Sequence, residues 1–200
     1  MQTRRSMLAT TLALPLLPKT FGERALPFPA RLSKAARDQI GVTRSYNGAY
    51  VRLDYPMGDV DRSTGVCTDV VIRAYRDAFD VDLQKLVHED MKTAFADYPA
   101  IWGLSRPDRN IDHRRVPNLE RSFERRGADL PLPATLDGWN PGDLYTMRLG
   151  GRLPHIGIVS DRLTPDGHPY VIHNIGGGTQ EEDILGMYQD ERRFRYEVSA

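Results

Sequence analysis

Cysteine is almost missing from this sequence: Cys67 is the single one in 200 residues. No disulfide framework can form within the chain, and the paired-cysteine spacings that hold zinc are absent. There is no His-Glu-x-x-His either, so the familiar helical zinc-hydrolase signature is excluded. An excess of charge is lacking too, with 27 basic against 27 acidic residues. Such a balance gives no reason to expect nucleic acid or an anionic surface as partner. Lysine is scarce, at Lys19, Lys34, Lys85 and Lys92 only, so the positive charge is nearly all arginine. No apolar run reaches the roughly 18–20 residues that span a bilayer. Repeats, low-complexity tracts and linkers are absent as well. A chain of this length suits one domain that buries a core without a metal or disulfide staple, and no cofactor or metal is expected.

What is present begins with an address. Arg4-Arg5 precede an apolar run from Met7 to Leu17, broken by Pro15 and closed by Pro18-Lys19. A positive start followed by a short apolar stretch is the pattern of an export signal. Thr3-Arg4-Arg5-Ser6-Met7-Leu8 also resembles the twin-arginine kind. The expected division is residues 1–30 as an export segment of Sec or twin-arginine type and residues 31–200 as a single domain. The mature protein is expected to be periplasmic or otherwise exported, monomeric and not inserted in a membrane. In an oxidising compartment an unpaired cysteine is either inert packing or a working thiol.

The order of elements predicts an α+β fold with an antiparallel sheet. Arg31 to Ile40 reads as a helix with Leu32, Ala35, Ala36 and Ile40 on one side. Tyr50 to Tyr55 alternates and reads as an extended segment. Cys67, Val71, Ala74, Tyr75 and Ala78 recur at helical spacing, so a helix is expected from Cys67 to about Phe79, capped by Ser63 or Thr64. Asp82 caps a third helix, Leu83 to Phe95, and Asn118 to Arg126 forms a fourth, stopped by Gly127. Between them, Tyr98 to Pro117 is a long irregular stretch, a kind of loop that is usually functional or disordered; its apolar residues argue against disorder. Asp143–Arg148, His155–Ser160 and Tyr170–His173 are short β-rich runs.

The chemistry centres on Cys67. A thiol in a first helical turn lies beside unpaired N–H groups and the positive end of the helix dipole, which favours the thiolate. Against this stands the commoner role of a lone cysteine as small core filling. His155 opens one strand and His173 closes the next, so antiparallel pairing brings the two together and toward the Cys67 helix. Cys67 as nucleophile, His155 as base and His173 as the group that orients the base make up a cysteine hydrolase, with the Cys67 N–H as part of an oxyanion hole. Arg106, Arg109, Arg114 and Arg115 could bind carboxylates, or pair with Asp108 and Asp112 to hold the irregular loop. His113, Asp69, Trp102, Asn174 and the Gly176-Gly177-Gly178 run are second-rank candidates.

Gly65-Val66-Cys67-Thr68-Asp69, Trp139-Asn140-Pro141-Gly142-Asp143-Leu144, His155-Ile156-Gly157-Ile158-Val159 and Val171-Ile172-His173 resemble the NlpC/p60 group of papain-like cysteine peptidases. Nearly the whole chain after Arg31 is similar to the bacterial domain of unknown function 1287. Leu86-Val87-His88-Glu89-Asp90-Met91, Asn110 to Leu119 and His173-Asn174-Ile175-Gly176 carry that similarity. The resemblance implies N-terminal helices packed on a small antiparallel sheet, and an amide-cutting activity on peptidoglycan stem peptides. It also implies the roles given above for Cys67, His155 and His173. The group usually has Asp before the cysteine and Ser-Gly after it, where this chain has Val66 and Thr68-Asp69. A tyrosine upstream of the cysteine often serves the oxyanion hole, and Tyr50 and Tyr55 are the candidates. Three other functions remain open: a non-catalytic cell-wall binding domain with a buried thiol, a metal hydrolase using His155, His173 and His113 or Asp112, and acyl transfer or amidation by the same thioester chemistry.

Overall fold

The computed structural model describes residues 26–198; the export-signal reading lies largely outside the described residues. Four helices and a six-stranded antiparallel sheet make up an α+β fold. Helix α1 (Phe28–Arg37) begins at Phe28 rather than Arg31. Pro27 and Pro29 fit the first turn, where a missing N–H costs nothing, and Phe28 stacks 4.0 Å from Phe79. The helix ends before Ile40, which is 41% exposed rather than inward. A two-residue strand β1 (Ser45–Tyr46) pairs in parallel with β2 (Thr64–Gly65). Helix α2 (Cys67–Phe79) follows at once, then α3 (Leu83–Ala94), where the Asp82 side chain accepts from Gln84 N as expected. Among the described residues no helix is long and apolar enough to cross a membrane.

Two expectations fail for one reason, which is that extended backbone needs a partner. Tyr50 to Tyr55 forms no strand. Its polar groups are satisfied by the irregular loop instead: Leu53 N donates to Asn110 Oδ1, and the Tyr50 hydroxyl to Asp108. Ser63 and Thr64 do not cap α2, because Thr64 is committed to β2. Val66 holds the N-cap position with extended backbone, and its N–H donates to Asp69 Oδ2 at 2.7 Å.

Helix α4 (Val116–Arg125) starts two residues early, with Pro117 in its first turn. The sheet then runs β3 (Asp129–Leu130), β4 (Leu144–Leu149), β5 (Leu153–Leu163), β6 (Pro169–Asn174), β7 (Thr179–Glu182) and β8 (Gln189–Phe194), in spatial order β3-β8-β4-β5-β6-β7. One face carries Leu144, Ile156, Ile158, Ile172 and Phe194 against α1, α2 and α4. The other carries Tyr145, Met147, Val159 and Val171 under Trp139, Ile184 and Leu185. Gly157 lies in the second set. A Cβ there would stand 2.5 Å from Val171 Cγ1, 3.0 Å from Ile172 O and 3.1 Å from His173 Cβ. Gly157→Ala is therefore expected to destabilise the fold by about 1–3 kcal/mol through overpacking, read from the midpoint of urea unfolding.

Candidate active site

The site forms where the sheet opens. β4 and β5 stay paired to Leu149↔Leu153, but the pairing of β5 with β6 stops at Ile158↔Ile172. Beyond that point His173 and Asn174 pair only with β7. Val159 bonds Asp143 and Gly142 on the β4 side, so the amides of Ile158 and Ile156 point toward β6. At Ile156 the β6 partner is gone, and its N–H lies beside the Cys67 sulfur and lowers the thiol's pKa. The opening is closed elsewhere by Asn174, whose Nδ2 donates to Gly65 O at 3.1 Å and Ser45 O at 3.3 Å. Asn174 thus ties β6 to the chain entering α2.

The two histidines meet here as the strand order requires. His155 Nε2 and His173 Nδ1 are 2.8 Å apart, with the rings nearly perpendicular at 83°. They do not project toward α2, however. Residues of a strand alternate in facing, and His155 and His173 share the parity of Val159 and Val171 rather than of Ile156 and Ile172. The thiol approaches the opening from the helix side, while the rings line it from the reverse face. Cys67 and Pro154 both border a cleft of about 250 Å³, with Tyr46, Trp102, Arg114 and Val116 on its walls.

Electrostatics correct the expected thiolate. Burial pushes the Cys67 thiol up to about 11, with the Asp69 charge adding to the rise. The N–H groups of Ile156 and Thr68 and the Tyr46 hydroxyl pull the other way and do not prevail. His155 is pushed down to about 3, by burial and then by the neighbouring His173. The resting pair is a neutral thiol and a neutral imidazole. Burial also lowers His173, and Glu182 partly opposes it. Glu182 Oε2 stands 3.0 Å from His173 Nε2, at contact distance but outside hydrogen-bonding angles.

Tyr46 is the tyrosine that sequence reasoning missed. Its hydroxyl lies beside the sulfur, and burial, then the neighbouring Cys67, raises its own pKa. Tyr50 is held by Asp108 and Tyr55 packs edge-on against His88, 5.2 Å between ring centres. The signal lay in Ser45-Tyr46 as an extended pair beside Thr64-Gly65, too short to read from periodicity. Because the Tyr46 hydroxyl stabilises the thiolate, Tyr46→Phe is expected to move the Cys67 titration further up. The pH dependence of iodoacetamide alkylation measures that shift.

The arginine-rich loop divides as follows. Arg114 Nε and Nη2 donate to Asp69 Oδ1 and Oδ2, both at 2.9 Å and fully buried. Thr68 Oγ1 donates to Arg114 O at 3.1 Å. Together these bonds clamp the irregular loop onto the start of α2. Arg115 pairs with Asp112 at 3.1 Å and stacks 4.1 Å over Trp102. Arg109 lies over Tyr55, and Arg106 is exposed. Ion pairing therefore accounts for both, within the loop for Arg115 and to Asp69 of α2 for Arg114. His113 is 2% exposed. Its charged neighbours are Arg114, Asp82, Arg76 and Asp59, and burial lowers it to about 3. It takes no part in the opening. Gly178, at φ +94°, lets Thr43 and Arg44 approach β7 closely, which gives the glycine run a packing role.

The family of this architecture is settled by comparison. The model of a domain of unknown function, DUF1287, matches residues 33–196. The chain belongs to the DUF1287 family. Another protein similar to it is "Uncharacterized protein YijF" of Escherichia coli (strain K12), 50% identical over 188 residues, covering 94% of this chain and 91% of that one. The DUF1287 match spans α2, the irregular loop and every strand of the opening, so the thiol, the histidine pair and Tyr46 all fall within it.

Proposed function

We propose that this DUF1287 protein is an exported, papain-like cysteine hydrolase that cuts an amide bond, with peptidoglycan stem peptides as the substrate. The observation that carries the reading is the placing of the Ile156 N–H beside the Cys67 sulfur, where it favours the thiolate. It brings the chain's single thiol against the residue next to His155, at the border of a cleft. In this reaction the thiol proton passes through the opening between β5 and β6 to His155 on its reverse face as the sulfur attacks the carbonyl carbon. The tetrahedral oxyanion accepts from the Cys67 N–H at the helix start and from the Tyr46 hydroxyl. The C–N bond breaks as the amine takes the proton from His155. Water, deprotonated by the same ring, then attacks the thioester, releasing the acid and restoring the thiol. His173 holds the His155 ring in place. The largely apolar cleft wall, with Trp102 and Val116 beside Tyr46, suits an extended peptide. The apolar segment after Arg4-Arg5 supports export.

A second reading has its own support. A thiol raised to about 11 is a poor resting nucleophile, which suits a wall-binding domain whose cysteine only packs. Muropeptide mass spectrometry of purified peptidoglycan, digested with wild type and with Cys67→Ala, tests both. New fragments from wild type alone support the hydrolase. Equal wall binding with no fragments from either protein favours the binding domain.

A further inference from the structure

We infer that Glu182 sets the proton positions of the His173–His155 pair and thereby decides which nitrogen of His155 is basic. The catalytic meaning of this inference rests on the hydrolase reading; the proton positions themselves do not.

Glu182 sits on the edge strand β7, on the same face as Val171, with its side chain 41% exposed. Its Oε2 lies 3.0 Å from His173 Nε2. A carboxylate only accepts, and its negative charge 3.0 Å away favours an N–H over a lone pair on Nε2 even off the hydrogen-bonding angle, so we place the proton there. A neutral imidazole has one N–H, which makes His173 Nδ1 an acceptor. The 2.8 Å contact from that Nδ1 to His155 Nε2 then needs its proton on His155. His155 Nδ1 is left with the lone pair, as the one site on the ring that can take a proton from Cys67. Without the carboxylate the order can reverse. His173 Nδ1–H would then donate to His155 Nε2, and His155 Nδ1 would be occupied by its own proton.

The groups around the pair make Glu182 the deciding one. His155 from β5 and Glu182 from β7 are the titratable side chains acting on the His173 ring. Asp183 is engaged with His168 at 2.7 Å. Glu181 points to the opposite face and bonds Arg37 and Ser160 there. Glu182 touches neither the thiol nor the cleft, so it acts as a positioning residue through two rings.

The test reads tautomers directly, by long-range ¹H–¹⁵N correlation of the full chain labelled at histidine nitrogen. Wild type is expected to show both rings as Nε2–H. Glu182→Leu should give a mixture. Glu182→Lys, which offers only donors, should drive both rings to Nδ1–H. In parallel, kcat for amide hydrolysis should fall at least tenfold in Glu182→Lys with KM little changed. Both substitutions are at a partly exposed position, and circular dichroism confirms folding. Wild-type rings protonated at Nδ1, or tautomers unmoved by Glu182→Lys, would overturn the inference. Tautomers that move while kcat does not would remove its catalytic meaning. Tautomers that move in a protein whose Cys67→Ala form is no less active would instead sink the hydrolase reading and leave the Glu182 assignment standing.

Discussion

Asp69→Asn is expected to lower the unfolding free energy by about 3–5 kcal/mol, the usual cost of leaving one buried charge without its partner. Asp69 and Arg114 side chains are 4% and 2% exposed, and two parallel 2.9 Å bonds join them. An asparagine can still accept from Val66 N, so the helix start keeps its cap. What it removes is the charge facing a guanidinium that has no water to turn to. For a chain of this size the melting temperature should drop on the order of 10 °C. Replacing both partners, as Asp69→Leu with Arg114→Met, should recover much of that loss, because no orphaned charge remains. Thermal unfolding of the single and double variants decides it, and a double variant as unstable as the single one would point to the loop clamp rather than the unpaired charge. Hydrolysis should fall in both, since Arg114 borders the cleft and fixes the loop above Cys67.

Cys67→Ser is expected to cost on the order of 10³-fold or more in kcat/KM while leaving stability nearly untouched. The hydroxyl is smaller and far less acidic than the thiol, and burial already raises the thiol to about 11. With its basicity lowered to about 3, His155 is a still weaker base toward a serine hydroxyl than toward the more acidic thiol. The same resting neutrality shapes the pH profile. His155 gains a proton only as pH falls toward about 3, and Cys67 loses its own only as pH rises toward about 11. In between, both groups hold the states the reaction needs. kcat/KM should therefore be flat from about pH 5 to 9, without a bell centred on neutrality. A steep acid limb near pH 6.5 would mean that His155 titrates as an exposed imidazole and that the opening admits more water than the resting fold does.

Much of this protein can be read without its structure, because local chemistry dictates it. Cys67, Val71, Ala74 and Tyr75 at helical spacing fix α2, Asp82 fixes the start of α3, and Gly127 at φ +68° ends the α4 segment. The H-x-G-x-V run of β5 and the Val-Ile-His run of β6 mark themselves by β-branched residues between turns. Their antiparallel order then brings His155 beside His173. Strands β7 and β8 are not legible in the sequence. Thr179–Glu182 and Gln189–Phe194 carry charges where a strand signal would carry apolar residues. Those charges are satisfied only in three dimensions, Glu181 by Arg37 and Arg193 by Asp143.

What the sequence alone determined is which residues could do the chemistry, since a lone thiol and two strand-borne imidazoles are matters of composition and period. The tertiary structure decided how they meet. The parting of β5 from β6 admits the sulfur, Tyr46 arrives from a strand two residues long, and Glu182 reaches in from an edge strand. The protonation state was likewise decided by burial, a property of the assembled core that no local pattern carries: desolvation of Cys67 outweighs the helix start beside it.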